Sequence, residues 1–402
     1  MCTDRTFSRA KSLRFTPVST VFMSSTSRRG FIKDTAAAGV GLLVANRVVA
    51  AADVRPATRT SKPLDILILG GTGYVGPYQV RAAIERGHRV TVFNRGRAQA
   101  DLPNGVTHLR GDRSIEKLDL ESLRGKRWDA AIDNAQTDPR WVTQTAQLLK
   151  DSVGYYLYVS TTGVYAPYSD PGFITEARMP RLTDNDQGET KTYGVIKALS
   201  EIENTKVFGA RAINVRPNFI VGPEDPKARF PYWPMRYAAG GEILVPGTPD
   251  DHVQFADVRD LTAFMMHLIE QGTTGTFNIA GEDDITMQRF QDALAVAVPS
   301  KHALTWIPDV AFLRANRVGT LIPWVAPSRT PDGVRYGQNY INSDKAVAAG
   351  LRYRPMTDTM RDTLVWWNRL PDAQRRAYEF GLDAARERAA LAAWRGRSGA
   401  GR

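Results

Sequence analysis

Short apolar runs alternate with amphipathic stretches from residue 64 onward. The runs are too short for ordinary helices and are rich in Val, Ile and Tyr, which indicates buried strands. The stretches at 78–86 and 141–150 repeat apolar residues at helical spacing. Strands separated by helices predict an α/β fold with a parallel sheet. The predicted strands are 64–69, 89–93, 106–109, 130–132 and 155–160, with 212–215 and 276–280 as later candidates.

The alternation breaks down in the second half of the chain. Pro and Gly become frequent between 217 and 249, which predicts ligand-facing insertions rather than a second independent domain. The Ala/Arg/Glu-rich stretch 373–394 is predicted to be helical. The expected organisation is a leader 1–52, a linker 53–63, a main domain 64–218, a smaller region 219–370 that returns in part to the sheet, and a basic helical tail 371–402.

The net charge of +11 on the 402 residues is concentrated at the two ends. Residues 1–52 hold eight Lys and Arg against two acids, and residues 371–402 hold seven against four, which leaves +2 for the body. A broad basic groove for nucleic acid is therefore not expected. The single cysteine, Cys2, and five scattered histidines argue against a disulfide framework and against a His or Cys metal site.

The first 52 residues resemble a bacterial twin-arginine export signal. Arg28 and Arg29 precede Gly-Phe-Ile-Lys, a weakly apolar stretch at 36–45 and a small-residue exit near Ala52. An amphipathic helix that merely contains two arginines is the alternative. The signal implies recognition by the twin-arginine machinery and a periplasmic or otherwise exported product. Because the sequence has no run of 18 apolar residues, no membrane span is expected in the mature protein. Met1 and Met23 both remain open as the start.

A glycine-rich segment follows the first predicted strand directly. Glycines at 70, 73 and 76 form a Gly-x-x-Gly-x-x-Gly pattern between a strand and a helix. In such loops the first glycine permits a tight turn, the second lets backbone N–H groups approach a pyrophosphate, and the third packs helix against strand. The sequence therefore predicts a dinucleotide site in a Rossmann-like, doubly wound sheet, with contacts from Gly70, Thr72, Gly73, Tyr74, Val75 and Gly76.

The end of the second predicted strand bears on which dinucleotide binds. An NAD site usually has Asp or Glu here for the ribose 2′-hydroxyl, whereas this chain has Asn94 followed by Arg95 and Arg97. A guanidinium pairs well with a 2′-phosphate. The sequence therefore favours NADP and leaves NAD open. Arginines that are only solvated loop charges are the alternative.

Tyr193 and Lys197 are four residues apart in a predicted helix and so share one face. An ammonium group beside a phenol favours the phenolate, which predicts a lowered pKa for Tyr193. About thirty residues earlier the fifth strand ends in Ser160 and Thr161, whose hydroxyls could orient a substrate oxygen. This combination predicts acid–base chemistry at a hydroxyl or carbonyl group.

These motifs resemble the extended short-chain dehydrogenase/reductase superfamily, specifically its NAD(P)-dependent epimerase/dehydratase group, over roughly residues 64–370. The resemblance implies that Tyr193 is the general acid/base and that Lys197 contacts the ribose and tunes the tyrosine pKa. It also implies that Asp112 contacts the adenine. The Ser/Thr-x-x-Val-Tyr pattern selects Thr161 as the catalytic hydroxyl, with Ser160 the alternative.

The resemblance implies hydride transfer to or from a sugar, a nucleotide sugar or another polyhydroxylated small molecule. The glycine loop, with Phe-Asn-Arg-Gly and Gly-Asp-Arg, is also similar to an atypical branch that includes chloroplast stem-loop RNA-binding proteins. A non-catalytic dinucleotide- or RNA-binding protein is therefore one alternative, and a simple NADP-dependent dehydrogenase/reductase is another. Because Tyr193 and Lys197 are present and the body is nearly neutral, we favour an enzyme and expect no nucleic acid partner. A homodimer is the assembly considered.

One aromatic segment lies within the smaller region. Residues 229–234 read Arg-Phe-Pro-Tyr-Trp-Pro. Such rings either form a surface on which a sugar ring stacks or pack in a core, and the sequence leaves both interpretations open.

Overall fold

The computed structural model describes residues 62–97, 101–184, 192–227 and 229–399. The predicted signal segment, the linker up to residue 61 and both candidate start positions lie outside these ranges. Among the helices that the structure describes, none is both long enough and apolar enough to cross a membrane.

Thirteen strands occur in the described residues. They are β1 (Asp65–Leu69), β2 (Arg89–Asn94), β3 (Thr107–Arg110), β4 (Trp128–Asp133), β5 (Val153–Val159), β6 (Ala212–Pro217), β7 (Ile220–Val221), β8 (Gly241–Pro246), β9 (Ala256–Asp257), β10 (Gly275–Ile279), β11 (His302–Ile307), β12 (Ser328–Arg329) and β13 (Arg335–Tyr336).

Eleven α-helices occur in the same residues. They are α1 (Val75–Glu85), α2 (Pro139–Leu149), α3 (Tyr193–Phe208), α4 (Tyr232–Ala239), α5 (Val258–Gln271), α6 (Met287–Ala297), α7 (Val310–Ala315), α8 (Asp344–Ala348), α9 (Met356–Arg369), α10 (Asp372–Arg376) and α11 (Ala384–Gly399).

Seven of the strands form one parallel sheet in the order β10-β6-β5-β4-β1-β2-β3. The prediction of a doubly wound α/β fold is confirmed, including the two later candidates, which are β6 and β10. The chain leaves β1 toward β2 on one side and returns to β4 on the other. Ligands of such sheets bind at this reversal, outside the carboxyl ends of the strands.

Helices cover both faces of the sheet because side chains alternate along each strand. In β1, Ile66 and Ile68 pack with α1 and α5 on one face, while Leu67 and Leu69 pack with α2 on the other. All four are fully buried. A strand buried on both faces reads as a continuous apolar run, which is why the sequence pattern was strong here.

The smaller region has a core of its own. Its centre is the parallel pair β8 and β11, surrounded by α4, α6, α7, α9 and α11. The aromatic segment 229–234 belongs to this core, since Phe230 and Trp233 are fully buried and Tyr232 is 5% exposed. The interpretation of these rings as a sugar-stacking surface is therefore wrong, because they have no exposed face.

The tail, predicted to be helical, consists of two helices. It forms α10 and α11 with an irregular segment between them, where Gly381 pairs through its carbonyl with the N–H of Gly319. A Cβ at position 381 would lie 2.6 Å from the carbonyl oxygen of Thr320. Close backbone contact with a distant segment interrupts the helix, and a composition-based prediction does not contain that contact.

Candidate functional site

The glycine loop lies between β1 and α1 with the geometry that its spacing predicts. Gly70 has φ of +87°, which side chains other than glycine rarely adopt, and a Cβ on Gly76 would lie 2.6 Å from the Gly71 carbonyl oxygen. A Cβ on Gly73 would meet nothing within 4 Å, so the space above it is open. Pro77 is the third residue of α1, where no helical hydrogen bond is lost. This loop fits a pyrophosphate at a helix N-terminus.

A cleft of about 190 Å³ adjoins this loop at the carboxyl ends of β1, β2, β3 and β4. Five of the predicted cofactor residues line it: Gly70, Thr72, Asn94, Arg95 and Asp112. Arg97, the second arginine considered for a 2′-phosphate, lines it too. Six residues that the sequence did not indicate as contacts complete the lining: Phe93, Gly96, Gly111, Arg113, Asn134 and Trp141.

The side chains of Tyr74 and Val75 lie away from this cleft. The Tyr74 ring is 6.2 Å from that of Tyr78, and its hydroxyl is buried without a hydrogen-bond partner in the described residues. Val75 packs against the core on the α1 face of the sheet. The predicted contact of these two residues with a dinucleotide is therefore restricted to their backbone atoms.

Two polar side chains of the cleft are held by nearby backbone N–H groups. Asn94 Oδ1 accepts a hydrogen bond from Gly96 at 2.8 Å, and Asp112 Oδ1 accepts one from Ser114 at 3.0 Å. The bond from Ser114 lowers the pKa of Asp112, so this carboxylate is ionised at neutral pH. Arg95 and Arg97 are exposed at the rim.

Asn134 was missed although its position was a signal. It directly follows β4 at the carboxyl edge, and its side-chain amide makes two hydrogen bonds with Gln79 of α1, at 2.8 and 3.0 Å. The residue after a central parallel strand is where such sheets place ligand contacts. Trp141 had no comparable signal, because its place in the cleft depends on how α2 packs.

The hydroxyl residues follow β5. Thr161 caps the short 3₁₀ helix Thr162–Tyr165, with its Oγ1 accepting a hydrogen bond from Gly163 at 3.1 Å. Ser160 is 2% exposed, and its hydroxyl has no partner in the described residues. Ser160 and Thr161 thus both adjoin the 3₁₀ helix. That Thr161 rather than Ser160 is the catalytic hydroxyl stays a prediction.

Close packing brings this turn to the helix that carries Tyr193. A Cβ on Gly194 would lie 2.2 Å from the Gly163 carbonyl oxygen, so only glycine allows α3 to begin here. Tyr193 is the first residue of α3 and is 49% exposed. Backbone contact therefore positions the tyrosine beside the Thr161 turn, although 32 positions separate them in the sequence.

Lys197 is almost fully buried beneath these groups. Its Nζ donates hydrogen bonds to the carbonyl oxygens of Ala135 at 2.7 Å and Val159 at 2.5 Å, and lies 5.7 Å from the centre of the Tyr193 ring. Burial lowers the pKa of Lys197 to about 7, although Asp133 and Glu201 favour its charged form. An ammonium has three donors, so one remains for a ligand.

The expected lowering of the Tyr193 pKa is wrong. Partial burial of the phenol raises the pKa, and the cation that opposes this effect is Arg229. The physical reason is that Lys197 is committed to two carbonyl groups and its own charge is marginal at neutral pH. The spacing therefore places Tyr193 and Lys197 on one helix face, but it does not determine the direction in which the pKa of Tyr193 shifts.

Arg229 contributes a positive charge to this site, and the sequence did not indicate that role. Its guanidinium is one-third exposed, and its Nε lies 3.7 Å from Asp225 Oδ2, beyond hydrogen-bond distance. Asp225 is fully buried. The segment between β7 and α4 thus adds a cation to the surroundings of Tyr193.

Comparison with known proteins adds the family. The chain matches the model of the NAD dependent epimerase/dehydratase family over residues 66–280, more than half of its length. The chain belongs to this family. The glycine loop, the open cleft and Lys197 all lie in the matched part.

Two curated relatives are similar to more than half of the chain. The chloroplast stem-loop binding protein of 41 kDa b from Arabidopsis thaliana is 27% identical over 249 residues, which are 58% of this chain and 62% of the relative. A dTDP-4-dehydro-6-deoxy-D-allose reductase from a Streptomyces species is 28% identical over 255 residues, 55% of this chain and 77% of the relative. The chain thus spans less than two thirds of the first relative.

Solved structures share the fold. The Bordetella bronchiseptica enzyme WbmG, in complex with NAD and UDP, has a TM-score of 0.57 and 16% identity, with 80% of this chain and 99% of that chain covered. At such identity the similarity concerns the fold alone. It confirms the Rossmann-like architecture that the glycine loop predicts.

Proposed function

We propose that this family member transfers hydride between a nicotinamide dinucleotide and a sugar, a nucleotide sugar or another polyhydroxylated small molecule, with Tyr193 as general acid/base. The observation that supports this most is the contact of Gly194 with Gly163, which brings the start of α3, with the half-exposed Tyr193, to the turn that Thr161 caps. Both adjoin the carboxyl edge of the sheet, where the cofactor cleft lies.

The dinucleotide, when bound, supplies the hydride donor or acceptor. Tyr193, whose pKa burial raises, holds its proton at neutral pH and donates it from Oη to a substrate carbonyl oxygen during reduction. Thr161 orients that oxygen through its hydroxyl. Lys197 uses its remaining donor for a cofactor hydroxyl, and Gly70, Gly73 and the first N–H groups of α1 hold the pyrophosphate.

The proposed substrate class is supported by what the relatives are named for. One curated relative is named a reductase of a dTDP-linked deoxysugar, and WbmG was solved with UDP. The test is to incubate the purified protein with a panel of sugars and nucleotide sugars and follow dinucleotide absorbance and product composition. Turnover of at least one polyhydroxylated compound, lost in Tyr193→Phe, is expected. No turnover across the panel would contradict the proposed class.

For the cofactor we propose NADP, retained through turnover. Asn94 and the exposed Arg95 and Arg97 line the cleft where a 2′-phosphate would lie, and the described residues of this lining include one carboxylate, Asp112. WbmG contains NAD, so NAD is the alternative. Retention implies redox-neutral chemistry, in which the hydride taken from the substrate is returned within the same cycle, as in epimerisation or dehydration. Purified protein is therefore expected to carry about one NADP(H) per chain through dialysis and to turn over without added cofactor. Empty protein that consumes added dinucleotide stoichiometrically would favour a simple dehydrogenase.

We also propose export by the twin-arginine route. The support is the order of Arg28-Arg29, Gly-Phe-Ile-Lys, apolar stretch and small-residue exit in the sequence. That route carries folded proteins, so a cofactor bound before export would travel with the enzyme. Replacing both arginines with lysine is expected to leave precursor in the cytoplasm. Unchanged export of this variant would contradict the proposal.

A second function is favoured by one observation, the similarity to the Arabidopsis stem-loop binding protein. Binding of RNA by this chain is tested by filter binding with hairpin and single-stranded RNA over a range of salt. Salt-sensitive binding at sub-micromolar concentration would support it. The charge of the chain body, near +2, favours the enzyme instead.

A further inference from the structure

The floor of the cofactor cleft contains an arginine that the family pattern did not assign. Arg113 follows Asp112 directly, is 8% exposed and lines the cleft. Its Nη1 donates a hydrogen bond to Asp133 Oδ1 at 2.7 Å. Burial by itself lowers the pKa of Arg113, but the Asp133 carboxylate overcomes this effect and raises it. The guanidinium is therefore charged, and a buried charge needs an explanation because removing it from water is costly.

Asp133 is fixed in turn by groups from β5 and from the segment that follows β4. It accepts hydrogen bonds from the Tyr156 hydroxyl at 2.6 Å and from the Ala135 N–H at 2.8 Å. The carboxylate is fully buried. A carboxylate held at both oxygens gives the Arg113 guanidinium an acceptor in a fixed position.

The rest of the guanidinium faces the cleft. Within the residues that the structure describes, the ion pair with Asp133 is its only hydrogen-bonded contact. Its Nη2 lies 3.9 Å from the position of a Cβ on Gly70, and its Cζ lies 5.6 Å from the centre of the Trp141 ring. The cleft thus has a planar cation and an indole next to each other, close to the glycine loop.

These two groups suit a planar heteroaromatic ring. A guanidinium is planar and weakly hydrated, so it stacks on aromatic faces, and an indole offers a second apolar face. Asp112, ionised on the same wall, accepts hydrogen bonds as an exocyclic amino group would require. We propose that Arg113 and Trp141 form the stacking surface for the adenine ring of the dinucleotide, and that Asp133 is a positioning residue acting through Arg113.

The experiment measures binding rather than turnover. ADP, which carries the adenine and a pyrophosphate, and nicotinamide mononucleotide, which carries no adenine, are titrated calorimetrically into nucleotide-free protein. Arg113→Lys keeps the charge and the ion pair but loses the planar face, and is expected to weaken ADP binding roughly five- to thirtyfold. Affinity for nicotinamide mononucleotide is expected to change less than about twofold.

Trp141→Leu is the second variant, because it leaves the buried ion pair intact. A similar loss for ADP is expected, and the double variant is expected to lose less than the product of the two single effects, since the groups share one ligand. Arg140→Lys is the matched control. It repeats the Arg-to-Lys change made at Arg113, but at the residue that precedes Trp141 and pairs with Asp138 outside the cleft. No change is expected there.

The outcomes separate this inference from the proposed function. Equal loss for ADP and nicotinamide mononucleotide in Arg113→Lys would assign Arg113 to a phosphate and overturn the adenine assignment. Unchanged ADP binding in both folded variants would overturn it as well. Wild-type protein that binds neither ADP nor a dinucleotide would overturn the cofactor assignment itself, whereas wild-type binding without turnover would contradict only the proposed chemistry.

Asp133→Asn tests the positioning role. The amide keeps the size of the carboxylate and loses the charge that orients Arg113, so ADP binding is expected to fall while affinity for nicotinamide mononucleotide stays within about twofold. A purely structural role would lower the midpoint of unfolding and leave the ratio of the two affinities unchanged. That ratio is the readout that decides.

Discussion

The cofactor cleft differs from the substrate-side region, by which we mean Tyr193, Arg229 and the core around β8 and β11. The two regions differ in how their polar groups are positioned. In the cleft, Asn94 and Asp112 are held by backbone N–H groups two residues away, and the glycine loop is continuous from 70 to 76. On the substrate side, Tyr193 depends on a turn 30 residues earlier, and Arg229 approaches from another segment. Local sequence therefore determines most of the cleft, whereas packing assembles the acid–base group.

The two regions also differ in what their aromatic residues do. Trp141 lines the cofactor cleft, half-exposed, whereas Phe230 and Trp233 are fully buried in the core around β8 and β11. An aromatic residue in a loop-rich segment gives no indication of which role it has. We expect substitutions in the two regions to separate into effects on binding and effects on stability.

The largest effect is expected on the rate of turnover when Tyr193, the proposed acid–base group, is replaced. Tyr193→Phe keeps the ring and removes the oxygen that carries the proton, so the rate should fall on the order of 10²–10⁴ while dinucleotide binding persists. Steady-state kinetics and cofactor titration measure the two effects separately. Tyr155→Phe is the control, because Tyr155 lies near the start of β5 and Thr161 follows the other end of that strand. Undiminished turnover in Tyr193→Phe would remove this residue from the chemistry.

The next effect concerns stability in the substrate-side region. Glu387 of α11 accepts hydrogen bonds from Arg236 at 2.6 Å and from the Leu244 N–H at 3.0 Å, and is 3% exposed. Glu387→Ala leaves Arg236 without its charge partner and should cost about 3 kcal/mol of unfolding free energy, the lower end for a broken buried pair, because Arg236 keeps two carbonyl acceptors.

Chemical denaturation measures this cost, and Glu379→Ala, exposed in the same tail, should change stability within about 0.5 kcal/mol. Dinucleotide affinity of the folded Glu387→Ala protein should be unchanged if the two regions are independent. A parallel loss of affinity would show that the tail also supports the cofactor cleft.

A smaller effect is expected at the rim of the cleft. Arg95→Asp replaces a candidate phosphate partner with a like charge, so the preference for NADP over NAD should fall between a few-fold and about tenfold, or about 1 kcal/mol. Titration of both dinucleotides against wild type and variant measures the ratio. Equal affinities for the two cofactors before and after the change would mean that Arg95 faces only solvent.

The smallest effect is a displacement of the pH profile. Burial raises the pKa of Tyr193 and Arg229 opposes it, so Arg229→Gln should raise that pKa further. Reduction needs the protonated phenol, and activity that declines as pH rises through the pKa should therefore persist to higher pH in the variant. Arg229→Lys restores the charge and should return the profile toward wild type. An unmoved profile in Arg229→Gln would exclude electrostatic coupling.

The sequence alone determined the features that depend on neighbours along the chain. Strand–helix alternation predicted all seven strands of the sheet, and the signal was strongest where a strand such as β1 is buried on both faces and therefore apolar. The spacing of Gly70, Gly73 and Gly76 predicted the cofactor loop, because backbone conformation there permits little else. Both features are indicated by residues that lie close together in the sequence.

Tertiary structure alone decided the features that depend on burial and on distant partners. The direction of the Tyr193 pKa, the enclosure of Phe230 and Trp233, the break between α10 and α11, and the place of Arg113 beside Trp141 all follow from which segments meet. Desolvation and contact depend on the whole arrangement around a group, and residues far apart in the sequence supply that arrangement. A local sequence pattern predicts which charged groups lie close together. It does not predict how much water remains around them.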